Sequence, residues 1–592
     1  MTAGIDDRLT RLRQELGARG LQGFIAPRAD EHLGEYVPAS AERLAWLTGF
    51  TGSAGLAAVL PDKAAVFTDG RYILQVEAQT DPELWERRHI IEDPPSRWLA
   101  ANAPADARVG YDPLLISEQG LSVYTDAGLA MVAVEGNPID AIWPDRPAPP
   151  AAPAVPHPLE YAGRASEEKR ERIAASLREA KQDAAVISDP ASIAWLLNIR
   201  GGDVPFTPFV LGFAVVYADG GTELFVDPAK LTRETRAWLG NTVSVAGREA
   251  LEPALRRFAG RRVRVDRSGS PVWFAQTLRD AGAVVLADRD PCLLPKACKN
   301  EVEQQGTRNA HLRDAVAVCR FLRFLSETGP LGGETELSAA ARLLAFREQV
   351  SGFRGESFPA ISAAGEHGAV IHYRVTEASN RPIRRDEIYL IDSGAQYPDG
   401  TTDITRTVWT GPADPPAELR ERVTRVMQGH IAIATLVFPE GAGGAHLDAF
   451  ARRALWQVGL DYDHGTGHGV GSYLSVHEGP VNLSRLASPV PIAAGMVLSN
   501  EPGYYLPQRY GIRLENLLLV RAAALSGTSR PFLRFETLTL APFDRRLIEP
   551  KLLNTAELAW LNGYHARVLA EVGPRLDAPT RAWLADRCAA IT

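Results

Sequence analysis

Cysteine is scarce in this 592-residue chain, which has only four. Cys292, Cys298, Cys319 and Cys588 form no closely spaced pair of the zinc-ribbon or redox kind. So few thiols in so long a chain exclude a small disulfide-stapled secreted scaffold and favour a reducing compartment. We therefore expect all four to be structural thiols.

An excess of positive charge and long apolar runs are also missing. The formal net charge is −8, and phosphate binding needs a basic surface, so a nucleic-acid partner is not expected. The most apolar window, 204–218, contains two prolines and is shorter than a bilayer requires. Residues 1–8 carry adjacent acids and no apolar core, so no standard secretory signal is expected. Together these features predict a soluble cytoplasmic protein that does not bind membranes.

The length of the chain predicts several domains, because one hydrophobic core does not grow to this size. Residues 144–158 are rich in proline, which removes backbone donors and favours extended conformations, so they are predicted to be a linker. A second boundary is expected near 294–296, just before a helical pattern over 300–327. The predicted domains are 1–150, 160–294 and 295–592.

The first two domains are similar to each other in sequence pattern. Segments 43–47 and 192–196 each precede a glycine-rich turn and an apolar run, and each domain opens with a charged amphipathic segment, 7–19 or 167–181. Helical patterns alternate with short apolar strands, which predicts a duplicated α/β unit.

The third domain has segregated helices and hairpin-connected strands, which is typical of an α+β fold. A helix is predicted at 446–458. Strands are predicted at 387–392, 401–409, 495–500 and 511–520.

Two of these strands end on a carboxylate, Asp392 and Glu501. An unpaired buried carboxylate is costly, so a strand that ends on one needs an explanation. Asp403 follows Asp392 by eleven residues, across the turn sequence Pro398-Asp399-Gly400, so the two strands can lie side by side. Their acids could then converge.

A glycine-rich segment supplies imidazoles to the same domain. Glycine occupies four of the nine positions of 463–471, around His464 and His468, as expected where backbone approaches a ligand closely. Glu515 lies in the predicted strand 511–520. Four carboxylates with one imidazole form a mostly hard-oxygen ligand set, which suits Mn²⁺ and also Zn²⁺ or Co²⁺. Two ions with shared carboxylates would absorb this charge and suit hydrolysis.

Each residue taken alone also has a structural reading. A strand-terminal aspartate is usually a turn former, a glutamate in a strand is usually solvated, and a histidine beside glycines is more often structural than ligating. The repeated strand-to-acid design in one domain favours the joint reading as a metal centre.

Five motifs of this domain resemble, in order, those of the pita-bread metallopeptidases. The resemblance is closest to aminopeptidase P, the Xaa-Pro aminopeptidases, and the two similar N-terminal domains resemble the creatinase-type domains of its long three-domain form. One departure is Arg374-Val375, where some relatives have a proline. The motifs are residues 391–406, 464–471, 477–480, 500–505 and 511–516.

The resemblance implies a dinuclear site. Asp392 would bind one metal, His468 and Glu501 the other, and Asp403 and Glu515 both. The implied catalytic residues are His372, His464, His477 and Glu501. The implied substrate-binding residues are Arg71, which could reach in from a neighbouring subunit, His372, His464, His477, Tyr505 and Arg513.

The implied activity is removal of an N-terminal residue that precedes proline, by a hydroxide that bridges the two metals, in a homodimeric enzyme. A prolidase that cleaves Xaa-Pro dipeptides is the first alternative. A non-catalytic binding scaffold is the second, although the complete ligand set speaks against it.

Overall fold

A computed structural model describes residues 4–592, so the first three residues of the segment 1–8 lie outside the described range. The chain divides into two compact units, one made of residues up to Pro158 and Arg164–Leu293, the other of Leu159–Gly163 and Leu294–Thr592. Across residues 4–592, every helix is too short or too polar to cross a membrane.

The first unit contains two six-stranded sheets with the same topology. At each equivalent position of the two sheets, the neighbouring strands pair in the same sense, either antiparallel or parallel. This match confirms the predicted duplication. In spatial order the strands are Glu86–His89, Ala64–Thr68, Leu56–Val59, Gly23–Pro27, Arg108–Tyr111 and Ala130–Ala133 in one sheet, and Val243–Ala246, Thr222–Phe225, Phe213–Tyr217, Ala184–Ile187, Arg262–Val265 and Val284–Ala287 in the other.

Helices flank both sheets. The two predicted amphipathic segments form Ile5–Ala18 and Ser166–Glu179, and the first buries three leucines against its sheet. The remaining α-helices of this unit are Arg43–Thr48, Ile73–Gln79, Pro95–Asn102, Glu118–Asp126, Pro138–Ile142, Pro190–Leu197, Arg233–Leu239, Leu251–Arg256 and Val272–Asp280.

The proline-rich segment 144–158 is more structured than a free linker. Val155–Pro156 pairs with Ile199–Arg200, and the Ala154 amide donates to the Lys230 carbonyl at 2.8 Å. The non-proline residues keep their N–H groups, and these hydrogen bonds tie the end of the segment to the second repeat.

The helices of the second unit surround its sheets. The long helix Glu301–Thr328 matches the predicted 300–327, and Asn300 and Glu303 form a capping box at its start. The helix predicted at 446–458 is Gly444–Trp456. The remaining α-helices are Leu159–Ala162, Leu293–Ala297 (which begins on the last residue of the first unit), Glu336–Glu348, Ala417–Ala434, Thr555–Val572 and Ala578–Arg587.

The strands of the second unit form three sheets and a hairpin. The six-stranded sheet has the order Val437–Pro439, Phe532–Thr537, Asn516–Ala523, Val497–Asn500, Gly467–Gly469, Glu478–Leu483. The three-stranded sheets are Ile361–Ala364, Ile388–Ser393, Ile404–Trp409 and Gly355–Glu356, Ala395–Tyr397, Gly400–Thr401, and the hairpin is Gly503–Leu506 with Tyr510–Arg513.

Two strands predicted as continuous are broken. The predicted strand 511–520 is interrupted at Leu514-Glu515, where the chain passes from the hairpin to the six-stranded sheet and the Glu515 amide donates to the Thr405 carbonyl at 3.2 Å. The predicted strand 401–409 is interrupted at Thr402-Asp403. At each break a carboxylate, Asp403 or Glu515, lies outside the regular alternation of a strand. The two side chains can therefore point toward each other.

Candidate metal centre

Asp392 and Asp403 lie at the same end of two paired strands. Ile388–Ser393 runs antiparallel to Ile404–Trp409, with Asp392 opposite Thr405, and Asp403 immediately precedes the second strand. The predicted side-by-side arrangement is therefore confirmed. Both carboxylates are buried.

His468 and Glu501 come from neighbouring strands of the six-stranded sheet. His468 is the middle residue of Gly467–Gly469, which pairs with Val497–Asn500, and Glu501 directly follows that strand. The glycines beside His468 have a reason other than the predicted approach to a ligand. A side chain at Gly467 would collide with the Ser499 carbonyl, so these glycines allow close packing of strands.

Three of the five predicted ligands form one tight group. Asp403, His468 and Glu515 each offer a ligand atom, and these atoms all lie within 4.8 Å of one another. His468 Nε2 is 3.5 Å from Asp403 Oδ2 and 3.4 Å from Glu501 Oε1. Asp392 interacts electrostatically with the same group. Burial raises the pKa of its carboxyl, and the charges of Asp403 and Glu501 raise it further.

Hydroxyl groups orient two of these carboxylates, and the sequence reading missed them. Thr405 Oγ1 donates to Glu515 Oε2 at 2.8 Å, and Ser499 Oγ donates to Glu501 Oε1 at 3.1 Å. Each hydroxyl lies two residues from a predicted ligand, Asp403 or Glu501, and this short spacing was the signal that could have identified it.

The orientation of the His468 ring suits a metal ligand. Its Nδ1 donates to the Gly469 carbonyl at 2.9 Å, which directs Nε2 toward the carboxylates. Burial disfavours the charged imidazole, but the hydrogen bond to Asp403 and the charge of Glu501 outweigh it and raise the pKa of His468 to about 9. A positive charge is thus favoured at Nε2.

The carboxylates also fit a divalent cation pair. Burial, with the charges of Asp403 and Glu501, raises the pKa of Asp392 to about 6 in spite of Arg513. Burial and the neighbouring acids raise the pKa of Glu515 well above its ordinary value. Within residues 4–592, the buried Oδ1 atoms of Asp392 and Asp403 have no hydrogen-bond partner. Bound cations would neutralise this repulsion and satisfy both oxygens.

A hydrogen-bonded chain links the centre to a predicted substrate residue. Arg513 Nη2 donates to Asp392 Oδ2 at 2.6 Å, and its Nη1 donates to the Tyr505 hydroxyl at 2.8 Å. That hydroxyl is 2.8 Å from His464 Nε2. On the other side, the ring of His477 stands edge-to-face on His468 with centroids 4.4 Å apart.

The two remaining predicted substrate-binding residues are His372 and Arg71. His372 is half-buried in the turn after the 3₁₀ helix Gly365–Ala369, and Arg513 Nη1 donates to the carbonyl of the preceding Ile371 at 3.3 Å. Arg71 belongs to the first unit, where it forms a bidentate ion pair with Asp69. Its reach into a neighbouring subunit stays a prediction.

Four family models match the chain. Residues 305–522 match metallopeptidase family M24, and 531–591 match the C-terminal region of that peptidase. Residues 8–130 and 145–303 match two creatinase/prolidase N-terminal domain models.

Full-length relatives carry similar names. The chain is 39% identical to a probable Xaa-Pro aminopeptidase P of Aspergillus fumigatus, over 100% of this chain and 93% of the relative. It is 38% identical to aminopeptidase P2 of Arabidopsis thaliana, over 98% and 88% of the two chains.

Among solved structures, X-prolyl aminopeptidase from Caenorhabditis elegans, described as a cytosolic enzyme with a di-nuclear active site, has a TM-score of 0.95 and 33% identity over 99% of this chain and 100% of that one. A prolidase from Thermococcus sibiricus shares the fold alone, with a TM-score of 0.51 and 22% identity over 64% of this chain and 98% of that one.

Proposed function

Because the chain belongs to metallopeptidase family M24, we propose that it is an Xaa-Pro aminopeptidase, which removes the N-terminal residue from peptides with proline in second position. The observation that carries this proposal is the convergence of Asp403, His468 and Glu515, from three separate chain segments, within 4.8 Å. The similarity to full-length relatives that carry aminopeptidase P names supports the substrate class.

Two divalent cations are the proposed cofactors, and Mn²⁺ is the expected metal, with Zn²⁺ or Co²⁺ as alternatives. Asp392 would hold one, His468 and Glu501 the other, and Asp403 and Glu515 both. When bound, such a pair lowers the pKa of water toward neutrality and polarises a carbonyl.

The residues around the centre have separable proposed roles. Glu501, oriented by Ser499, takes the proton of the attacking water and passes it toward the leaving imino nitrogen. His477, stacked on His468, donates a hydrogen bond to the carbonyl oxygen as it gains negative charge. His372 lies on the loop that Arg513 holds and assists the leaving nitrogen.

The preference for proline follows from what the peptide lacks. An Xaa-Pro bond has no amide hydrogen and a fixed ring, so a site that demands an N–H donor binds it poorly. His464 and Tyr505 present two rings, 5.3 Å apart and inclined at 70°, which could hold a flat pyrrolidine. Arg71 of a second subunit would add a contact to the bound peptide if that subunit packs beside the site.

Cleavage of three peptides tests the proposed substrate class. We expect the Mn²⁺-loaded protein to release arginine from Arg-Pro-Pro with a kcat/KM roughly 100-fold above that for Arg-Ala-Ala, because only the proline peptide fits without an unpaired N–H. The dipeptide Gly-Pro should be cleaved poorly. Release of the first residue is followed by chromatography, with Asp403→Asn as the inactive control.

Each contrary result selects another function. Efficient cleavage of Gly-Pro with little cleavage of Arg-Pro-Pro would identify a prolidase. Equal rates on the proline and alanine tripeptides would leave a general aminopeptidase. A fully metal-loaded protein that cleaves none of them would be a binding scaffold.

Removal of metal should cost both activity and stability. Cations that bind only the folded site at 1,000 times their Kd stabilise it by about 4 kcal/mol, so chelation should lower the Tm of the second unit by several degrees. Calorimetry with and without chelator, followed by reloading with Mn²⁺, Zn²⁺ or Co²⁺, checks this and ranks the metals. An unchanged Tm and rate after chelation would contradict the metal centre.

The remaining proposals concern the whole molecule. We propose three domains at 1–150, 160–294 and 295–592, a cytoplasmic location, and a homodimer, with peptides as partners and neither nucleic acid nor membrane among them. The description of the Caenorhabditis elegans relative as cytosolic supports the location. The family-model spans support the domain limits.

A further inference from the structure

Arg452 is a buried arginine in the helix Gly444–Trp456, with 1% of its side chain exposed. All five of its N–H donors are used. Three of them go to carboxylates: Nε and Nη2 form a bidentate pair with Asp448 at 2.7 and 3.1 Å, and Nη1 donates to Asp461 at 2.9 Å. The other two go to backbone carbonyls, Nη1 to Tyr462 at 2.6 Å and Nη2 to His464 at 2.7 Å.

The same guanidinium fixes the ring of His464 as well as its backbone. It lies 3.9 Å from the centroid of the Tyr462 ring, and that ring packs on His464 at 4.8 Å. The Tyr462 hydroxyl is 2.5 Å from Thr466 Oγ1, which donates to Asp448 at 2.6 Å. Arg452 and Asp448 thus hold the turn that carries His464 from both sides.

We propose that Arg452 is a positioning residue that acts through His464, fixing where the His464 ring and its partner Tyr505 meet the peptide. The inference rests on the proposed function. Lysine cannot replace it, because an ammonium has three donors and no planar face to stack on Tyr462. A misplacement of about 1 Å in such a group is enough to cost about 100-fold in rate.

A double-mutant cycle tests the proposal in the full-length, metal-loaded protein. Arg452→Lys should lower kcat/KM for Arg-Pro-Pro about 30-fold while the content of bound metal stays unchanged. In a His464→Ala background the same change should cost less than about threefold, because the group it positions is already gone. An equal loss in both backgrounds would overturn the proposal and leave a purely structural arginine.

Arg43→Lys is the matched control. Arg43 is buried with 3% of its side chain exposed and forms a bidentate pair with Asp140 at 2.7 and 2.9 Å in the first unit. This variant should lose thermal stability like Arg452→Lys but keep kcat/KM within about twofold. A 30-fold loss here would also overturn the proposal, since any buried arginine would then have the same effect.

A second measurement does not depend on cleavage, so it separates failure of the positioning role from failure of the proposed function. In protein with ¹⁵N-labelled histidine, the His464 ring signals, assigned by their absence from His464→Ala, should move in Arg452→Lys and stay in place in Arg43→Lys. Unmoved signals overturn the positioning role even if the wild-type chain cleaves Arg-Pro-Pro. If Arg452→Lys does not fold, Asp448→Asn enters the same cycle with the same expectations.

Discussion

Replacing Asp403 with asparagine should abolish peptide cleavage, with kcat/KM for Arg-Pro-Pro falling by more than about 1,000-fold. Asp403 contributes to the group of ligand atoms within 4.8 Å, and its Oδ1 is buried without a hydrogen-bond partner in the described range 4–592. A neutral amide does not bridge two cations, so the bound metal should fall from two ions to one or none. Elemental analysis beside the rate assay measures both.

The same variant should be more stable than the wild type when both are free of metal. The raised pKa of Asp392 and of Glu515 means that folding disfavours their ionised forms, partly because Asp403 is close. Since a raised carboxyl pKa weakens folding above the unfolded value, removing one negative charge relieves that loss at neutral pH. Asp403 also stabilises the protonated ring of His468, and that interaction is lost in the variant, so a net gain of less than about 1 kcal/mol is expected by calorimetry in chelator.

Asp203→Asn is the matched control for Asp403→Asn, which should lose metal but gain stability in the metal-free protein. Asp203 is a buried carboxylate in the first unit, 2.7 Å from Lys230 Nζ. Loss of its charge leaves the lysine unpaired, so stability should fall by about 3 to 5 kcal/mol while the second unit keeps its metal. Near-normal turnover of Asp403→Asn with two bound ions would refute the bridging assignment.

The pairing of the strands beside Asp392 and Asp403 could be predicted from the sequence because it depends on short-range patterns. Asp392 ends a continuous apolar strand, and turn residues separate it from Asp403, so pairing of the two strands followed from local chemistry. The repeat in the first unit was likewise visible in two similar segments. These features depend on residues close together in the chain.

The parts that sequence reasoning did not reach depend on contacts between distant residues. Arg452 looks like an ordinary polar residue of an amphipathic helix, and only the fold places it beneath the carbonyl of His464. The break at Leu514-Glu515 is not predictable from the pattern, because apolar and polar residues alternate through it as they would in one continuous strand. The sequence predicts that the glycine at position 467 lets the backbone approach a ligand, but in the fold this glycine faces a neighbouring strand.

His477→Ala should separate metal binding from catalysis. The ring of His477 packs edge-to-face on His468 without being one of the proposed ligands, so metal content should stay at two ions. A hydrogen-bond donor aimed at developing negative charge contributes about 100- to 1,000-fold to kcat, so a loss of that size is expected for Arg-Pro-Pro. KM should change much less, because the interaction grows only as the carbonyl oxygen gains charge.

His446→Ala is the matched control for His477→Ala. His446 lies in the same unit, in the first turn of Gly444–Trp456, where its Nδ1 accepts a hydrogen bond from the Gly443 amide at 3.2 Å. Its loss should cost some stability and leave kcat within about twofold. If His477→Ala instead loses metal, the ring acts by supporting His468. If kcat is unchanged with metal in place, groups other than His477 must stabilise the oxyanion, and His477 has no catalytic role.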